Sequence, residues 1–192
     1  SNVAFPNKNI GEDGFKSFKG NELSFKKLSR YSIKFYRILR KVTRCSGTVF
    51  IYSNFKTYGG IKSLVKVLEY HGYTNYSKTG EGRKRYAIWS GDESVELKNE
   101  LKAVFNQQSN YNGSKLKIML GSPSSKEGIS FYNVQQVHIL EPYWNYSRML
   151  QIIGRAVRYC SHKNLEEEKR LVKVYIYLAT HYHEEESIDE YI

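Results

Sequence analysis

A glutamine and two arginines lie close together in the stretch QIIGRAVR, which covers residues 151–158. A helix would set Arg155 and Arg158 on one face, because residues three positions apart are neighbours on a helix surface. Two guanidinium groups aimed the same way favour a multiply charged anion. A pair of salt-bridging arginines on an ordinary helix has the same spacing, so the rest of the chain must decide between the two interpretations.

The overall charge favours a polyanionic partner. The 192 residues carry a net charge of +11, and the isoelectric point is about 9.5. The charge is uneven, since residues 16–44 contain ten basic residues and a single acid, Glu22. Acidic triplets stand at 166–168 and 184–186. Basic blocks are often only solvated faces, so the charge alone leaves nucleic-acid binding and a plain solvated surface equally open.

The composition disfavours several classes of protein. No run of about 18 apolar residues is present, so we expect no transmembrane helix and no membrane partner. The first residues lack the basic and apolar regions of a signal peptide, so an intracellular protein is expected. Cys45 and Cys160 have no CxxC partner, which fits a reducing compartment and predicts no metal site.

Strand-like and helix-like patterns alternate along the chain. Short runs rich in β-branched and aromatic residues predict buried strands, and apolar residues at intervals of three and four predict helices. Such alternation favours right-handed βαβ crossovers. We therefore predict an α/β fold with a largely parallel sheet and helices on both faces. The predicted helices cover 24–43, 59–73, 92–107 and a segment including 147–157, and the predicted strands cover 47–53, 85–90, 115–121, 134–141 and 170–179.

Functional groups in parallel sheets gather where the carboxyl ends of the strands meet. Three of the loops expected there open with serine or glycine before a candidate helix start. Helix N-termini bind phosphates, although the same residues also serve as ordinary helix caps, and both interpretations stay open. The loops cover 53–58, 90–93, 121–130 and 141–148, and the three openings are Ser53, Ser90–Gly91 and Gly121–Ser122.

The sequence lacks the usual glycine-rich loops that hold a nucleotide. No G-x-x-x-x-G-K-[ST] loop is present, so the chain is not expected to bind a nucleotide alone. Arg155 and Arg158 are then best explained as arginines donated to a phosphate that another domain holds. No G-x-G-x-x-G opens a helix, which disfavours a stand-alone Rossmann-type enzyme. Glu141 is a candidate general base without a partner visible in the sequence. His162 is expected either to cap the helix that carries QIIGRAVR or to contact its surroundings, and nothing indicates a catalytic base.

The order and spacing of these motifs resemble the second RecA-like domain of superfamily 2 helicases and translocases. GTVFIYSNF resembles motif IV, YAIWSGDE the strand, turn and helix that follow, IMLGSPSSKEGISF motif V and QIIGRAVRYCSH motif VI. The resemblance covers about residues 45–180. The stretch at 134–165 is similar to the helicase-like proteins of poxviruses and related large DNA viruses, a group that includes the early transcription factor small subunit and nucleoside triphosphatase I.

The resemblance implies a role for individual residues. Arg155 and Arg158 would contact the γ-phosphate of ATP across a domain cleft, with Arg158 as the arginine finger and Gln151 beside them. Gly128 would let the backbone approach the nucleotide. Ser130 stands on the nucleotide side where many DEAD-box members have aspartate, so an acidic contact there is not expected. The positions implied to contact the nucleic-acid backbone are Ser53, Asn54, Lys56, Ser90, Gly91 and Ser122.

The resemblance also implies an organisation. Residues 25–180 would form the helicase C-terminal domain of a longer chain, residues 1–24 an N-terminal arm or linker, and residues 181–192 an acidic tail or truncated linker. ATP and Mg²⁺ would be bound mainly by a first RecA-like domain that this sequence lacks, so the fragment alone is expected to be inactive.

The implied partners are the first RecA-like domain, nucleic acid, with DNA preferred to RNA, and viral transcription machinery. The implied location is the host cytoplasm or the virion. Two alternatives stay open. One is a duplex DNA translocase or viral transcription factor ATPase subunit that does not separate strands, and the other is a non-enzymatic nucleic-acid-binding RecA-like module.

Overall fold

Six parallel strands form a single sheet in the order β2-β3-β4-β1-β5-β6. The computed structural model describes residues 2–123, 130–142, 145–157, 161–163 and 165–179. Within these ranges all five predicted strands are present, and the prediction of a largely parallel sheet is confirmed. The strands are β1 (Thr48–Tyr52), β2 (Thr74–Asn75), β3 (Arg85–Trp89), β4 (Ile118–Gly121), β5 (Val134–Ile139) and β6 (Lys173–Ile176).

Helices pack on both faces of the sheet, as predicted. The side chains of β1 alternate between the faces. Val49 and Ile51 join a core cluster with residues of α3 and α4, and Phe50 and Tyr52 join a second cluster with residues of α6 and α7. The helices are α1 (Gly11–Ser17), α2 (Phe25–Tyr31), α3 (Ile33–Arg44), α4 (Ile61–Tyr70), α5 (Tyr76–Thr79), α6 (Val95–Asn106) and α7 (Tyr146–Ile153).

The strand order places a switch in chain direction at β1. After β1 the chain moves to the β2 edge and returns through β3 to β4, and it then crosses β1 to form β5 on the other side. Ligand sites in open α/β sheets lie outside the carboxyl ends of strands at such a switch. The fold therefore marks the edge beyond Tyr52 as the place to look for a site.

The single helix predicted over 24–43 is wrong, because two helices are present. Ser32 separates them with an extended backbone, φ −154° and ψ 99°. Its hydroxyl oxygen accepts a hydrogen bond from the Phe35 N–H at 3.1 Å, which makes it the N-cap of α3. The same hydroxyl donates to the Asn2 carbonyl oxygen at 2.6 Å. The hydrophobic periodicity runs through the break, and Ser32 combines a local helix cap with a tertiary contact to Asn2.

The residues before α2 pack closely onto the domain. Val3, Phe5, Phe18 and Leu23 are buried in the same cluster as α3 and α4. The segment includes α1 and a 3₁₀ turn at Gly20–Leu23. The division into an arm or linker over residues 1–24 and a helicase domain from residue 25 stays a prediction.

His138 lies in β5 and is fully buried, and its ring stacks with the rings of Tyr175 in β6 and of Tyr177 just after β6. The ring centroids of Tyr175 and Tyr177 lie 5.0 and 5.8 Å from that of His138. Nε2 lies 3.0 Å from the Gln136 amide oxygen, which can only accept, so Nε2 carries the proton. Nδ1 then accepts from the Tyr177 hydroxyl at 2.8 Å. Burial, assisted by the nearby Lys41 charge, lowers the pKa of His138 to about 3.

We expect the free energy of unfolding to fall when the pH is lowered from 7 to 5. His138 titrates near 6.5 in the unfolded chain and near 3 in the folded chain. Between these values only the unfolded chain binds the proton, so acid favours unfolding. The expected loss from this one group is about 2 kcal/mol over those two pH units. Urea unfolding at pH 7, 6 and 5 measures it.

The His138→Gln variant tests the assignment. It keeps a donor and an acceptor but does not titrate, so it should be less stable than the wild type at pH 7 and lose this part of the pH dependence. An unchanged pH dependence in the variant would show that another group is responsible.

Candidate functional site

A cleft of about 410 Å³ opens at the carboxyl edge of the sheet, beside the end of β1. The α7 side contributes two guanidinium groups and two side-chain amides. The β1 side contributes the phenol of Tyr52. The lining residues are Tyr52, Pro123, Asn145, Ser147, Arg148, Gln151, Ile152 and Arg155. The cleft lies where the switch in chain direction predicts a site, and it brings together two of the residues predicted from the sequence, Gln151 and Arg155.

The helix that carries these residues is shorter than predicted. Asn145 caps its start, because the Asn145 side-chain oxygen accepts from the Arg148 N–H at 3.3 Å. α7 ends at Ile153, and Arg155 lies in a tight turn that follows Gly154. Glycine is a weak helix former, and the Arg155 N–H bonds three residues back, to the Ile152 carbonyl, at 3.2 Å. The prediction of Arg155 on a helix face shared with Arg158 is therefore wrong in its first half. Arg158 lies outside the described residues.

Backbone bonds fix the position of the turn that carries Arg155. The Phe131 N–H donates to the Arg155 carbonyl at 2.8 Å, and the Asn133 N–H donates to the Ser161 carbonyl at 3.1 Å. His162 is buried, and its Nε2 lies 2.7 Å from the Val134 carbonyl oxygen. His162 thus anchors this segment to the start of β5 and does not cap α7. The segment that carries Arg155 is therefore held by the first residue of β5 and by residues just before this strand.

Arg148 is a functional candidate that the sequence reasoning missed. It precedes Gln151 by three positions on α7, and both residues line the cleft together with Arg155 from the turn beyond the helix. Burial raises the pKa of the Tyr52 hydroxyl, while the nearby charges of Arg148 and Arg155 act in the opposite direction. Both guanidinium groups therefore face the end of β1. Arg148, Gln151 and Arg155 are three and four positions apart in the sequence, and this spacing could have identified Arg148 as a candidate.

Glu141 organises the loop that follows β1. Its carboxylate accepts from the Ser53 hydroxyl at 3.0 Å and from the Asn54 N–H at 2.7 Å. The Asn2 side-chain amide donates to the same carboxylate and, at 2.9 Å, to the Gly59 carbonyl. Burial raises the pKa of Glu141, against the lowering effect of these hydrogen bonds. Both carboxylate oxygens of Glu141 thus accept hydrogen bonds, and they connect the loop after β5 to the loop after β1 and to Asn2. This gives the candidate general base a structural role.

The loops after β1 and β3 meet through one ion pair. Lys56 Nζ lies 3.2 Å from the Asp92 carboxylate, and both side chains are about one-third exposed or more. Ser90 is buried, and its N–H donates to the Glu93 carboxylate at 2.6 Å. Gly91 lies exposed beside them. Lys56, Ser90 and Gly91 are therefore brought to one place, with Lys56 and Gly91 on the surface.

The first two loops do not open directly onto a helix start, whereas phosphate binding by these loops stays a prediction. The N-cap of α4 is Gly60, and that of α6 is Ser94. Ser53 and Ser90 lie several residues earlier and bond within their own loops: the Ser53 hydroxyl oxygen accepts from the Phe55 N–H, and the Ser90 N–H donates to the Glu93 carboxylate. Ser122 is fully buried at the end of β4, and residues 124–129, which include Gly128, lie outside the described residues.

Ser130 faces a different neighbour. Its carbonyl oxygen accepts from the Asn106 side-chain amide at 2.9 Å, at the end of α6. It is not among the residues that line the cleft. Its predicted place on the nucleotide side stays a prediction.

The described residues contain no group of three or more histidine, cysteine or acidic side chains arranged to hold a metal ion.

Among the helices in the described ranges, none is long and apolar enough to cross a membrane.

Comparison with known proteins decides the family. Residues 34–160 match the model of the helicase conserved C-terminal domain. The chain is a helicase C-terminal domain. A protein of Acanthamoeba polyphaga mimivirus, provisionally named ATP-dependent RNA helicase R563, is 56% identical over 190 residues, which are 99% of this chain and 33% of the relative. This chain thus corresponds to about a third of the length of that relative.

Other relatives agree with the viral grouping and the fold. Nucleoside triphosphatase I of Melanoplus sanguinipes entomopoxvirus is 30% identical over 171 residues, which are 88% of this chain and 24% of the relative. The C-terminal part of the Fun30 ATPase domain superposes with a TM-score of 0.58 at 17% identity, covering 84% of this chain and 44% of that one. The resemblance to viral helicase-like proteins and the RecA-like fold are both confirmed.

We expect Glu141→Ala to lower the free energy of unfolding of the helicase domain by about 3 kcal/mol. The substitution removes the acceptor of the Ser53 hydroxyl, the Asn54 N–H and the Asn2 amide, and each buried donor left without a partner costs about 1–3 kcal/mol. Urea unfolding measures the loss, and hydrogen exchange should show faster exchange at the Asn54 amide. Glu12→Ala is the matched control, because Glu12 pairs with Lys16 on the surface with 61% of its side chain exposed and such pairs contribute little. Equal losses of stability in the two variants would contradict the structural role of the Glu141 carboxylate.

Proposed function

We propose that this chain supplies the arginine side of an ATP site in an ATP-dependent helicase or translocase, with the other side on a first RecA-like domain. The observation that carries the proposal is the cleft at the switch in chain direction, where Arg148, Gln151 and Arg155 converge. Guanidinium groups bind phosphate oxygens in a fork geometry, and they stabilise the charge that develops during phosphoryl transfer.

The lining of the cleft fits a phosphate better than a metal ion. It holds two arginines and no carboxylate among the described residues, and Mg²⁺ is bound in proteins chiefly through carboxylates and phosphates. We assign Mg²⁺ and most contacts with ATP to the first domain. Arg155 and Arg148 would bind the terminal phosphate, and Gln151 would orient it or contact the facing domain. Arg158 and Gly128 are proposed to complete the nucleotide side by their positions in motifs VI and V.

The loops at the same edge are proposed to hold the nucleic-acid backbone. Lys56 and Gly91 are accessible to a phosphate, and Asn54 is half-buried beside them. Ser53, Ser90 and Ser122 are buried, so they would shape the loops that present those contacts. Phosphate contacts carry no sequence information, which suits an enzyme that moves along any sequence.

Two variants of the function remain, and an assay separates them. The mimivirus relative is named as an RNA helicase and the entomopoxvirus relative as a nucleoside triphosphatase, so this chain is proposed to act either by separating strands or by moving along duplex DNA without separating them. The second activity would fit a partner in viral transcription, in the host cytoplasm or the virion. Stimulation of ATP hydrolysis by single-stranded DNA, duplex DNA or RNA identifies the substrate, and an unwinding assay identifies the activity.

In a full-length protein that carries both RecA-like domains, Arg155→Ala and Arg158→Ala should each lower the rate of ATP hydrolysis by about 10³-fold or more, because an arginine finger is worth 10³–10⁵ in kcat. Arg148→Ala should cause a smaller loss. Nucleic-acid affinity, measured by fluorescence anisotropy, should be retained in each variant.

Lys62→Ala provides the control, since Lys62 is an exposed cation of α4 that does not line the cleft. Its rate should equal that of the wild type. Retention of the wild-type rate by Arg155→Ala and Arg158→Ala would make QIIGRAVR a structural segment and the domain a nucleic-acid clamp without a role in hydrolysis.

Lys56→Gln should weaken binding of single-stranded nucleic acid a few-fold and flatten its salt dependence, because removing one phosphate contact lowers the slope of log K against log salt by about 0.7. Asp92→Asn should act in the opposite direction, since it removes the carboxylate that competes for Lys56. Anisotropy titrations over a series of salt concentrations measure both. Identical slopes for the two variants and the wild type would exclude Lys56 from the contact.

A further inference from the structure

The outward face of α3 is a row of arginines. Apolar residues on the other side of the helix fill the core, while Arg37, Arg40 and Arg44 are exposed at intervals of three and four. These three residues are called the arginine face. The sequence contains no acid between Glu22 and Glu69. No carboxylate of α2 or α3 is therefore available to neutralise the face.

Helix stability does not explain the arginine face. Like charges three or four positions apart on a helix destabilise it by about 0.2–0.5 kcal/mol per pair. Arg44 is in the last turn, where a cation interacts favourably with the helix dipole. Arg37 and Arg40 lie too far from that end to gain from it. Across the part of the chain that the structure describes, no ion pair involves any of the three.

The arginine face runs along the side of the sheet away from the cleft. At one end Lys34 Nζ donates to the Leu140 carbonyl at 2.9 Å, beyond the carboxyl end of β5. Near the other end Lys41 Nζ lies 3.9 Å from the Tyr175 ring centroid in β6. Arg44 lines a shallow cleft of about 260 Å³, to which the cations Lys169 and Lys173 and one carboxylate, that of Glu168, also contribute. The positive surface therefore extends from α3 to the amino edge of the sheet, opposite the edge that carries the proposed ATP site.

We propose that the arginine face binds the phosphate backbone of nucleic acid, at a site separate from the cleft and from the loop that carries Lys56. Arg37 and Arg44 are seven residues apart, which is about 10 Å along a helix. Phosphates of one duplex strand follow each other at about 3.4 Å along the axis, so the face spans about three steps. It would hold the nucleic acid beyond the segment that the carboxyl-edge loops grip.

A phosphate backbone fits the face better than a protein partner does. Protein interfaces are built around buried aromatic and apolar anchors. Between Arg37 and Arg44 the apolar side chains Ile38, Leu39 and Val42 are buried in the domain's own core. What remains exposed is guanidinium groups and Thr43. The identification of the polyanion as nucleic acid rests on the proposed function.

The test compares two triple variants with the same change in net charge. One is Arg37→Gln with Arg40→Gln and Arg44→Gln. The matched control is Lys78→Gln with Lys98→Gln and Lys102→Gln, on α5 and α6 in the opposite helical layer. Circular dichroism melts check that both fold. Anisotropy titrations use a labelled 20-base-pair DNA duplex, the same duplex as RNA, and a single strand of each, over a series of salt concentrations.

The arginine variant should lose at least tenfold in duplex affinity at low salt, and the slope of log K against log salt should fall by about 2–3, because each phosphate contact contributes about 0.9. The control should keep the wild-type slope. A loss seen with single strands only would assign the same backbone contact to an unpaired segment. Equal losses in the two variants would reduce the effect to net charge and overturn the site.

The outcomes also separate this inference from the proposed function. A wild-type chain that binds no nucleic acid would overturn both. A chain that binds through Lys56 but not through the arginine face would overturn only the inference. Competition by poly-glutamate that depends on the three arginines, without a matching effect on nucleic acid, would make the face a docking surface for an acidic protein segment and would also overturn it.

Discussion

β1 is hydrogen-bonded on both sides, to β4 and to β5, and all five of its side chains are buried. Two helical layers depend on it, because its alternate side chains enter the two core clusters. The fit around it is tight: a Cβ atom at Gly121, the partner of Tyr52 in β4, would lie 2.7 Å from the Phe50 ring. Because β1 also ends at the switch in chain direction, the position of this one strand determines where the cleft opens.

The edge beyond β1 is held by a buried carboxylate. Burying a charge is costly unless it is hydrogen-bonded, and Glu141 receives hydrogen bonds from the Ser53 hydroxyl and the Asn54 N–H. Tyr52, the residue before this pair, forms the wall of the cleft that faces Arg148 and Arg155. The proposed nucleotide side and the proposed nucleic-acid side therefore share one anchor. A displacement of the loop after β1 would therefore move Tyr52 and change the shape of the cleft.

The sequence predicted what local pattern controls and missed what tertiary contacts control. The strands were found because their apolar runs are buried on both faces of a parallel sheet. The break at Ser32 was missed because apolar periodicity continues across it, and the contact of Ser32 with Asn2 cannot be predicted from a local pattern. The end of α7 at Gly154 was missed because the motif reads as helical, whereas Phe131 holds the following turn through its N–H. Arg148 was within reach, since its spacing to Gln151 and Arg155 is helical. The role of Glu141 was not, because its partners lie 87–139 positions away.

Folding and anion binding depend on different residues in this domain. The fold is stabilised by two apolar clusters and a parallel sheet, and exposed ion pairs add little to such stability. The arginines of the cleft and of α3 belong to neither cluster. Cations grouped without acids repel one another and destabilise a folded chain. The free energy gained by burying the two apolar clusters offsets this repulsion. An anion that binds relieves the repulsion and gains the charge-assisted bonds together. In the proposed function, the excess positive charge of the domain is matched by the phosphate groups of the nucleotide and of the nucleic acid.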